Sequence, residues 1–228
     1  MKCSSYDWGV LAGRRILITG IVTTDSIAFA VAARAQQLGA EVSVTTFDRV
    51  ADLTRAAIAE LPTRPAVHQL DATVDDDYRR LGDQLLQGGT LDGALHAVAF
   101  APADALGGPF LEASTQSIEL AMRTSTVSYA RLASLLHRLA PPSGASLVGL
   151  DFDADGRAWP VYNWMGVCKV ALQAVSRYVA RDLGPAGIRS NSGGRGAAPS
   201  PTGSCSMSTR RSVRTCAISR STSWPPSP

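Results

Sequence analysis

The chain has 228 residues, of which 45% are hydrophobic and 18% charged, and its net charge is +3. These values predict one globular domain, with or without a tail, and exclude an acidic solvating chain, a collagen-like repeat and a coiled coil. No segment approaches the roughly eighteen apolar residues of a membrane helix, and the N-terminal residues lack the apolar core of a signal peptide. We therefore expect a cytoplasmic protein without membrane insertion. Four scattered cysteines and three histidines predict reduced thiols and no metal site.

The predicted strands and helices alternate along the first 191 residues. Short apolar runs predict strands at 15–20, 41–47, 66–71, 91–99, 145–151 and 188–190. Amphipathic runs predict helices at 26–40, 50–61, 75–87, 114–139 and 161–183. Six strands separated by helices predict an α/β fold, a Rossmann-like doubly wound parallel sheet with helices on both faces. Such sheets bind ligands at the carboxyl ends of their strands, so the residues that follow each strand are candidate site residues.

The composition changes abruptly after Asn191. Residues 192–228 contain ten Ser, five Arg and five Pro but no Asp, Glu or Leu. This composition cannot offset the entropy of ordering, which predicts a disordered tail. The tail arginines lack the interleaved aromatic residues of a nucleic-acid platform, so a solvated tail is favoured over nucleic-acid binding.

Gly20 ends the first predicted strand, and Ser26 opens the helix that follows. A glycine permits close approach of a ligand to the backbone, and the free N–H groups of a helix N-terminus attract a pyrophosphate. The segment lacks the GxGxxG pattern, and an ordinary turn with a serine N-cap is an equally good interpretation. The residues of this turn alone do not distinguish a pyrophosphate site from an ordinary turn.

Tyr162 and Lys169 follow the fifth strand and lie two helical turns apart, so that both can face one site. A lysine beside a tyrosine stabilises phenolate and can bind ribose hydroxyls, while the phenol can donate to an oxyanion. The structural alternative is an amphipathic helix with a half-buried Tyr and a solvated Lys. The chain has twenty Arg and only one other lysine, Lys2. This rarity favours a functional ammonium at Lys169.

Gly20 with Ser26-Ile27-Ala28, together with Tyr162 and Lys169 separated by six residues, resembles the NADH-dependent enoyl-acyl-carrier-protein reductases of the short-chain dehydrogenase/reductase superfamily. Ordinary members of the superfamily have three residues between these Tyr and Lys positions. The resemblance is greatest to the long-chain actinobacterial form of the mycolic-acid pathway, the target of isoniazid. It covers residues 10–191 and includes 47–49, 149–153 and 189–191.

The resemblance implies an activity and a set of site residues. The activity would be reduction of trans-2-enoyl thioesters, carried on acyl carrier protein or CoA, with NADH in fatty-acid elongation. Tyr162 would donate a hydrogen bond to the enolate oxygen, Lys169 would hold the nicotinamide ribose, and Phe152 would pack near the transferred hydride. Tyr162 and Met165 would contact the substrate. The implied cofactor-binding residues are Gly20, Ile21, Ser26, Ile27, Phe47, Asp71, Ala72, Ala99 and Lys169.

The sequence departs from the family pattern at two places. Ala97 and Ala99 stand where the family has the Ser and Gly of a Ser-x-Gly-Phe stretch. After Asn191 the family's Ala-Gly-Pro turn, crevice helices and last strand are absent, and residues 192–228 have the composition of a shifted reading frame. We therefore interpret 10–191 as an incomplete NAD-binding domain, which would form a homotetramer with an intact C-terminus. The alternative function is that of an inactive remnant that at most binds a dinucleotide.

Overall fold

The computed structural model describes residues 9–152, 158–159 and 161–195. The chain divides into a unit of residues 1–197 and a second unit of residues 198–228, and the second unit lies outside the described residues. The predicted disordered tail therefore also lies outside them from residue 196 onward.

Six parallel strands form one sheet at the centre of the first unit. They are β1 (Arg15–Ile18), β2 (Glu41–Thr46), β3 (Ala66–Gln69), β4 (Gly93–His96), β5 (Ala145–Phe152) and β6 (Ile188–Arg195). The strand order is β3-β2-β1-β4-β5-β6, and every neighbouring pair is parallel. This order reverses direction between β1 and β4, which is where doubly wound sheets open a crevice for a ligand. The predicted Rossmann-like α/β fold is confirmed.

Seven helices flank the strands among the described residues. They are α1 (Ile27–Gln37), α2 (Ala51–Ile58), α3 (Asp75–Leu86), α4 (Ala103–Leu106), α5 (Thr115–Met122), α6 (Ser128–Leu139) and α7 (Asn163–Leu183). Leu17 of β1 belongs to one apolar core with α3, α6 and α7, whereas Ile18 belongs to a second core with α1 and α2. Successive side chains of a strand point to opposite faces, so β1 joins the two cores. Each fully buried Leu or Ile stabilises the fold by about 2 kcal/mol.

The predicted helix 114–139 is interrupted by a π-helical turn at Arg123–Val127, between α5 and α6. Three hydroxyl groups in and beside this turn bond to backbone carbonyls: Ser125 to Phe100, Thr126 to Cys168, and Ser128 to Thr124. Ser and Thr side chains compete in this way with regular helical hydrogen bonds. The apolar periodicity predicts helix on both sides and does not detect the interruption.

Strand β6 is longer than the predicted strand 188–190. It pairs with β5 from Ile188 to Arg195, so Ser192 lies opposite Gly149 and Arg195 opposite Phe152. Residues 192–195, predicted to belong to the disordered tail, are therefore strand. Residues 192–195 join the sheet through main-chain hydrogen bonds to β5, which need no apolar side chains. For this reason the composition places the start of the tail too early. The Ser190 hydroxyl donates to the Ser176 carbonyl and is hydrogen-bonded to the Tyr129 hydroxyl at 2.7 Å.

Short elements that the sequence did not predict connect β4 to α5. They are the single-turn helix α4 and a 3-10 turn at Phe110–Glu112. In the ranges that the structure describes, no helix is long and apolar enough to cross a membrane.

Candidate active site

A cleft of about 780 Å³ opens at the carboxyl ends of β1, β2, β3 and β4. Its walls include six of the predicted cofactor-binding residues, namely Gly20, Ile21, Phe47, Asp71, Ala72 and Ala99. Cofactor pockets commonly have volumes of about 300–1,000 Å³. The sheet topology thus brings residues from four separate strand ends to one crevice of suitable size.

Gly20 shapes the floor of the cleft. Its φ is +85°, a left-handed conformation that glycine adopts without strain. A Cβ at this position would overlap the carbonyl oxygen of Ala97, which follows β4. Thr19 reinforces the junction, since its hydroxyl donates to the Leu95 carbonyl and accepts from the Ala97 N–H. The fold itself therefore requires glycine here, whether or not a ligand approaches.

The turn between β1 and α1 is folded around the side chain of Ser26. Its Oγ accepts hydrogen bonds from the N–H groups of Val22 and Thr23 at 3.2 and 3.0 Å. Ser26 occupies the N-cap position, but its hydroxyl does not cap the helix. The alternative interpretation of the turn as a side-chain serine N-cap therefore does not hold. The N–H of Ile27 lies in the first turn, where an α-helix has no internal acceptor. Ser26 and Ile27 lie beside the cleft and do not line it.

The opposite end of the cleft carries polar groups at the ends of β2 and β3. Phe47 is 38% exposed and lines the cleft, and aromatic rings stack on planar groups. Asp48 accepts a hydrogen bond from the Gln69 amide at 2.9 Å. The carboxylate of Asp71 accepts bonds from the N–H and hydroxyl of Thr73, which fixes the turn that contains Ala72.

Ser125 supports the segment that follows β4. Its hydroxyl accepts from the Phe100 N–H at 3.0 Å and donates to the Phe100 carbonyl at 3.1 Å. This pair of bonds holds 97–100 against the π-helical turn, with Ala97 and Ala99 lining the cleft. π-helical turns are frequent at functional sites. The run of hydroxyl residues at 124–126 inside a predicted helix is the signal that sequence reasoning overlooked.

Tyr162, Phe152 and Lys169 gather at the carboxyl end of β5. The rings of Tyr162 and Phe152 pack with centroids 4.6 Å apart. Lys169 is buried, and its Nζ donates to the carbonyl of Leu150 in β5 at 2.8 Å. The three predicted catalytic residues thus lie in or contact the end of β5, one strand away from the cleft, and none of the three lines the cleft.

Met165, which is predicted to contact the substrate, is a buried residue of the first turn of α7. It is buried in a small apolar cluster with Ala101, Ala105, Ala121 and Cys168. This cluster packs the first turns of α7 against α4 and α5. Cys168 is a free, buried thiol, and the other cysteines lie outside the described residues.

Burial dominates the electrostatics of the region. It raises the pKa of the Tyr162 phenol, and the Asp151 carboxylate acts in the same direction. Burial lowers the pKa of the Lys169 ammonium, whereas Asp151 opposes that change. Asp151, which the sequence analysis did not name as a site residue, acts on the pKa of both groups, and so does the Cys168 thiol to a smaller extent. A phenol with a raised pKa stays protonated at neutral pH and remains a hydrogen-bond donor.

His96 lies at the end of β4, between the cleft and the β5 end. Its ring is fully buried, which lowers its pKa to about 3, and the Lys169 ammonium acts in the same direction. Nε2 is 2.7 Å from the Ser128 Oγ. Because the Ser128 hydroxyl donates to the Thr124 carbonyl, the neutral imidazole donates through Nε2. Nδ1 has no hydrogen-bond partner among the described residues.

The described part of the chain shows no candidate metal site. No group of three or more His, Cys, Asp or Glu side chains lies close enough together there to hold a metal ion.

Comparison with known protein families matches residues 20–213 to the family model described as enoyl-(acyl carrier protein) reductase. The match covers most of the chain and extends past Asn191. The chain belongs to the enoyl-(acyl carrier protein) reductase family. The family predicted from the Gly20 turn and the Tyr162 and Lys169 pair is thereby confirmed.

Curated relatives of this reductase family align with about 80% of the chain. The enoyl-[acyl-carrier-protein] reductases [NADH] of Mycolicibacterium smegmatis and Mycobacterium avium are each 40% identical to it, over 188 and 187 residues, and the alignment covers 69% of each relative. The Escherichia coli reductase FabI is 32% identical over 189 residues, which is 70% of its length. The similarity to the mycobacterial proteins agrees with the actinobacterial resemblance of the sequence.

Proposed function

We propose that the chain is an NADH-dependent reductase of trans-2-enoyl thioesters carried on acyl carrier protein or CoA, acting in fatty-acid biosynthesis. The observation that carries the proposal is the juxtaposition of two regions. A dinucleotide-sized cleft lies at the switch point between β1 and β4, and Tyr162 and Lys169 each contact the end of the adjacent β5, through the Phe152 ring and the Leu150 carbonyl. The names of the relatives, enoyl-[acyl-carrier-protein] reductase [NADH], support the same activity.

The cleft fits a dinucleotide. Gly20 leaves bare backbone at its floor, and the first-turn N–H groups of α1 beside it favour a pyrophosphate. Phe47 and Ala72 would hold the adenine at the far end, while Asp48 would accept a bond from a ribose 2′-hydroxyl. Bound NADH supplies the hydride that adds to the β-carbon of the enoyl thioester.

Tyr162 then performs the chemistry that belongs to the chain itself. Hydride addition to the β-carbon would place negative charge on the thioester oxygen, to which the neutral Tyr162 phenol would donate a hydrogen bond, and a solvent proton would then complete the α-carbon. The Tyr162 phenol is protonated at neutral pH at its ordinary pKa of 10.0, and burial raises that pKa further. The Phe152 ring packs against the phenol ring at a tilt of 54°. Lys169 would contribute positive charge beside the phenol and hydrogen bonds to the ribose.

Enoyl-dependent oxidation of NADH tests the proposal, with crotonyl-CoA as the thioester. We expect turnover by the purified chain and a loss of about a hundredfold in kcat in Tyr162→Phe, because one oxyanion donor is removed. The matched control is Tyr178→Phe, which alters an exposed tyrosine on the same helix and leaves kcat unchanged. A folded chain that binds NADH without oxidising it in the presence of crotonyl-CoA would contradict the proposal and support the inactive remnant.

A further inference from the structure

Tyr162 lies between two residues with left-handed backbone conformations. Val161 has a φ of 58° and Asn163 a φ of 40°. Asparagine tolerates this region, but for a β-branched valine it is strained. The Val161 side chain is 75% exposed, so its own packing does not compensate the strain. Such a conformation persists only when neighbouring contacts enforce it.

Asn163 and Trp164 make contacts that enforce this conformation, both to the segment 103–113. The Asn163 Nδ2 donates to the carbonyl oxygens of Gly107 and Gly108 at 3.2 and 2.9 Å. The Trp164 indole N–H donates to the Phe110 carbonyl at 3.2 Å, and the two rings stack with centroids 4.7 Å apart. Two consecutive residues at the start of α7 therefore anchor the same connecting segment.

The other end of the segment 103–113 is also fixed. The Ser114 N–H donates to the Asp104 carboxylate at 3.1 Å, and the Ser114 hydroxyl caps α5 by accepting from the Ser117 N–H. The segment thus bridges the N-termini of α5 and α7. Asn163, the first of the two α7 residues that hold this segment, directly follows Tyr162.

We propose that Asn163 is a positioning residue, which ties the segment 103–113 to the start of α7 and thereby fixes the orientation of the Tyr162 phenol. The inference rests on the proposed function, in which that phenol meets the substrate oxygen. Only asparagine combines tolerance of positive φ with a side-chain group that donates twice over this short reach. A donor displaced by about 1 Å loses much of its catalytic effect, by up to about a hundredfold.

Two substitutions separate the backbone requirement from the hydrogen bonds. Asn163→Gly keeps the positive φ and removes both donors, whereas Asn163→Asp keeps the φ and places a carboxylate against two carbonyl oxygens. We expect kcat with crotonyl-CoA to fall about tenfold in Asn163→Gly and further in Asn163→Asp. The NADH dissociation constant stays within about twofold of wild type, because the cleft lies at the ends of the other strands.

Trp164→Phe provides a milder variant of the same anchor. It removes the indole donor to Phe110 and retains an aromatic ring for stacking, so we expect a loss of about threefold in kcat. A wild-type kcat in both Asn163→Gly and Trp164→Phe would overturn the inference. An equal loss of NADH binding and kcat would also overturn it, because the residue would then support the whole fold.

Titration of the Tyr162 phenol tests the inference without any turnover. With ¹³C-labelled tyrosine, the Tyr162 signal is assigned by its absence in Tyr162→Phe. In Asn163→Gly we expect the pKa of Tyr162 to fall toward its ordinary value, because a released ring gains solvent, while the Tyr178 signal stays unchanged. This shift in a chain that does not turn over crotonyl-CoA would refute the proposed function and support the positioning role. If the chain turns over crotonyl-CoA but the Tyr162 titration is unchanged in Asn163→Gly, the positioning role would be refuted and the proposed function supported.

Discussion

The cleft and the β5 end of the site are built in different ways. In the cleft, the shape comes from backbone: Gly20 approaches the Ala97 carbonyl, and Thr19 and Ser125 bond to main-chain groups around it. At the β5 end, the arrangement comes from side chains, with Lys169 bonded to Leu150 and Asn163 bonded to the segment 103–113.

This difference determines how each region responds to substitution. A crevice made by backbone geometry tolerates most changes of the side chains that face it but not changes at the glycine that sets it. A donor held by side-chain hydrogen bonds is displaced when one bond is removed, even if the sheet below is unaffected. We therefore expect NADH affinity and kcat to be separable properties of this chain.

The largest expected effect is that of Gly20→Ala. The new Cβ meets the Ala97 carbonyl in a left-handed conformation, so we expect the free energy of unfolding to fall by about 3 kcal/mol and NADH binding to be lost. Urea denaturation and NADH titration measure the two effects. Gly13→Ala is the control: its φ is +72°, but no atom lies within 4 Å of the added Cβ, so a loss of about 1 kcal/mol is expected. Equal losses in the two variants would show that the junction of β1 and β4 is not close-packed.

The second effect is a loss of folding stability at acid pH that is caused by His96, which lies between the cleft and the β5 end. Its pKa is about 3 in the folded chain and 6.5 when solvated, so below pH 6.5 the unfolded state binds the extra proton. Stability falls as pH decreases through this window, by about 2 kcal/mol at pH 5 from this residue alone. His96→Gln should reduce the acid sensitivity, whereas His137→Gln, at an exposed position in α6, should retain it. Identical pH profiles in wild type and His96→Gln would disprove the assignment.

A smaller effect concerns Lys169, whose pKa burial lowers from the ordinary value of 10.5. Between the folded and unfolded pKa values the unfolded state holds more protons, so this residue's contribution to stability rises as pH increases toward 10.5. Denaturation of wild type and Lys169→Met at neutral and alkaline pH measures it. The difference in unfolding free energy should shift in favour of wild type at the higher pH, and a constant difference would mean that the ammonium is solvated.

The smallest expected effect is on the choice of dinucleotide. Asp48, oriented by Gln69 at 2.9 Å, faces the end of the cleft and would repel a 2′-phosphate. We expect Asp48→Asn to improve NADPH affinity relative to NADH by about threefold to tenfold. Asp52→Asn removes the same charge from a fully exposed residue and should leave the ratio unchanged. An unchanged ratio in both variants would assign the discrimination to another residue.

The order of the elements was predictable because apolar periodicity reflects burial directly. The six strands, their parallel arrangement and five flanking helices follow from runs such as Ile16-Leu17-Ile18, in which alternate residues enter the two cores. The carboxyl ends of β1, β2, β3 and β4 were set too long by one to three residues, since apolar residues continue into the loops that line the cleft.

Contacts between distant segments were not predictable from local pattern. The π-helical turn depends on Ser125 meeting Phe100, and the anchor at Asn163 depends on carbonyls more than fifty residues away. The spacing of Tyr162 and Lys169 predicted one shared site, and both do meet β5. Their spacing says nothing of the Lys169 bond to Leu150, because that acceptor belongs to another element.

An NADH titration of three chains, wild type, Ala99→Trp and Tyr162→Phe, tests most directly whether the cleft binds the cofactor. Ala99 is exposed on the wall of the cleft, so a tryptophan there fills the cleft without disturbing a core. If the cleft holds the cofactor, Ala99→Trp weakens NADH binding by more than about tenfold, while Tyr162→Phe binds NADH within about twofold of wild type. Wild-type affinity in Ala99→Trp would contradict the assignment of the cleft as the cofactor site.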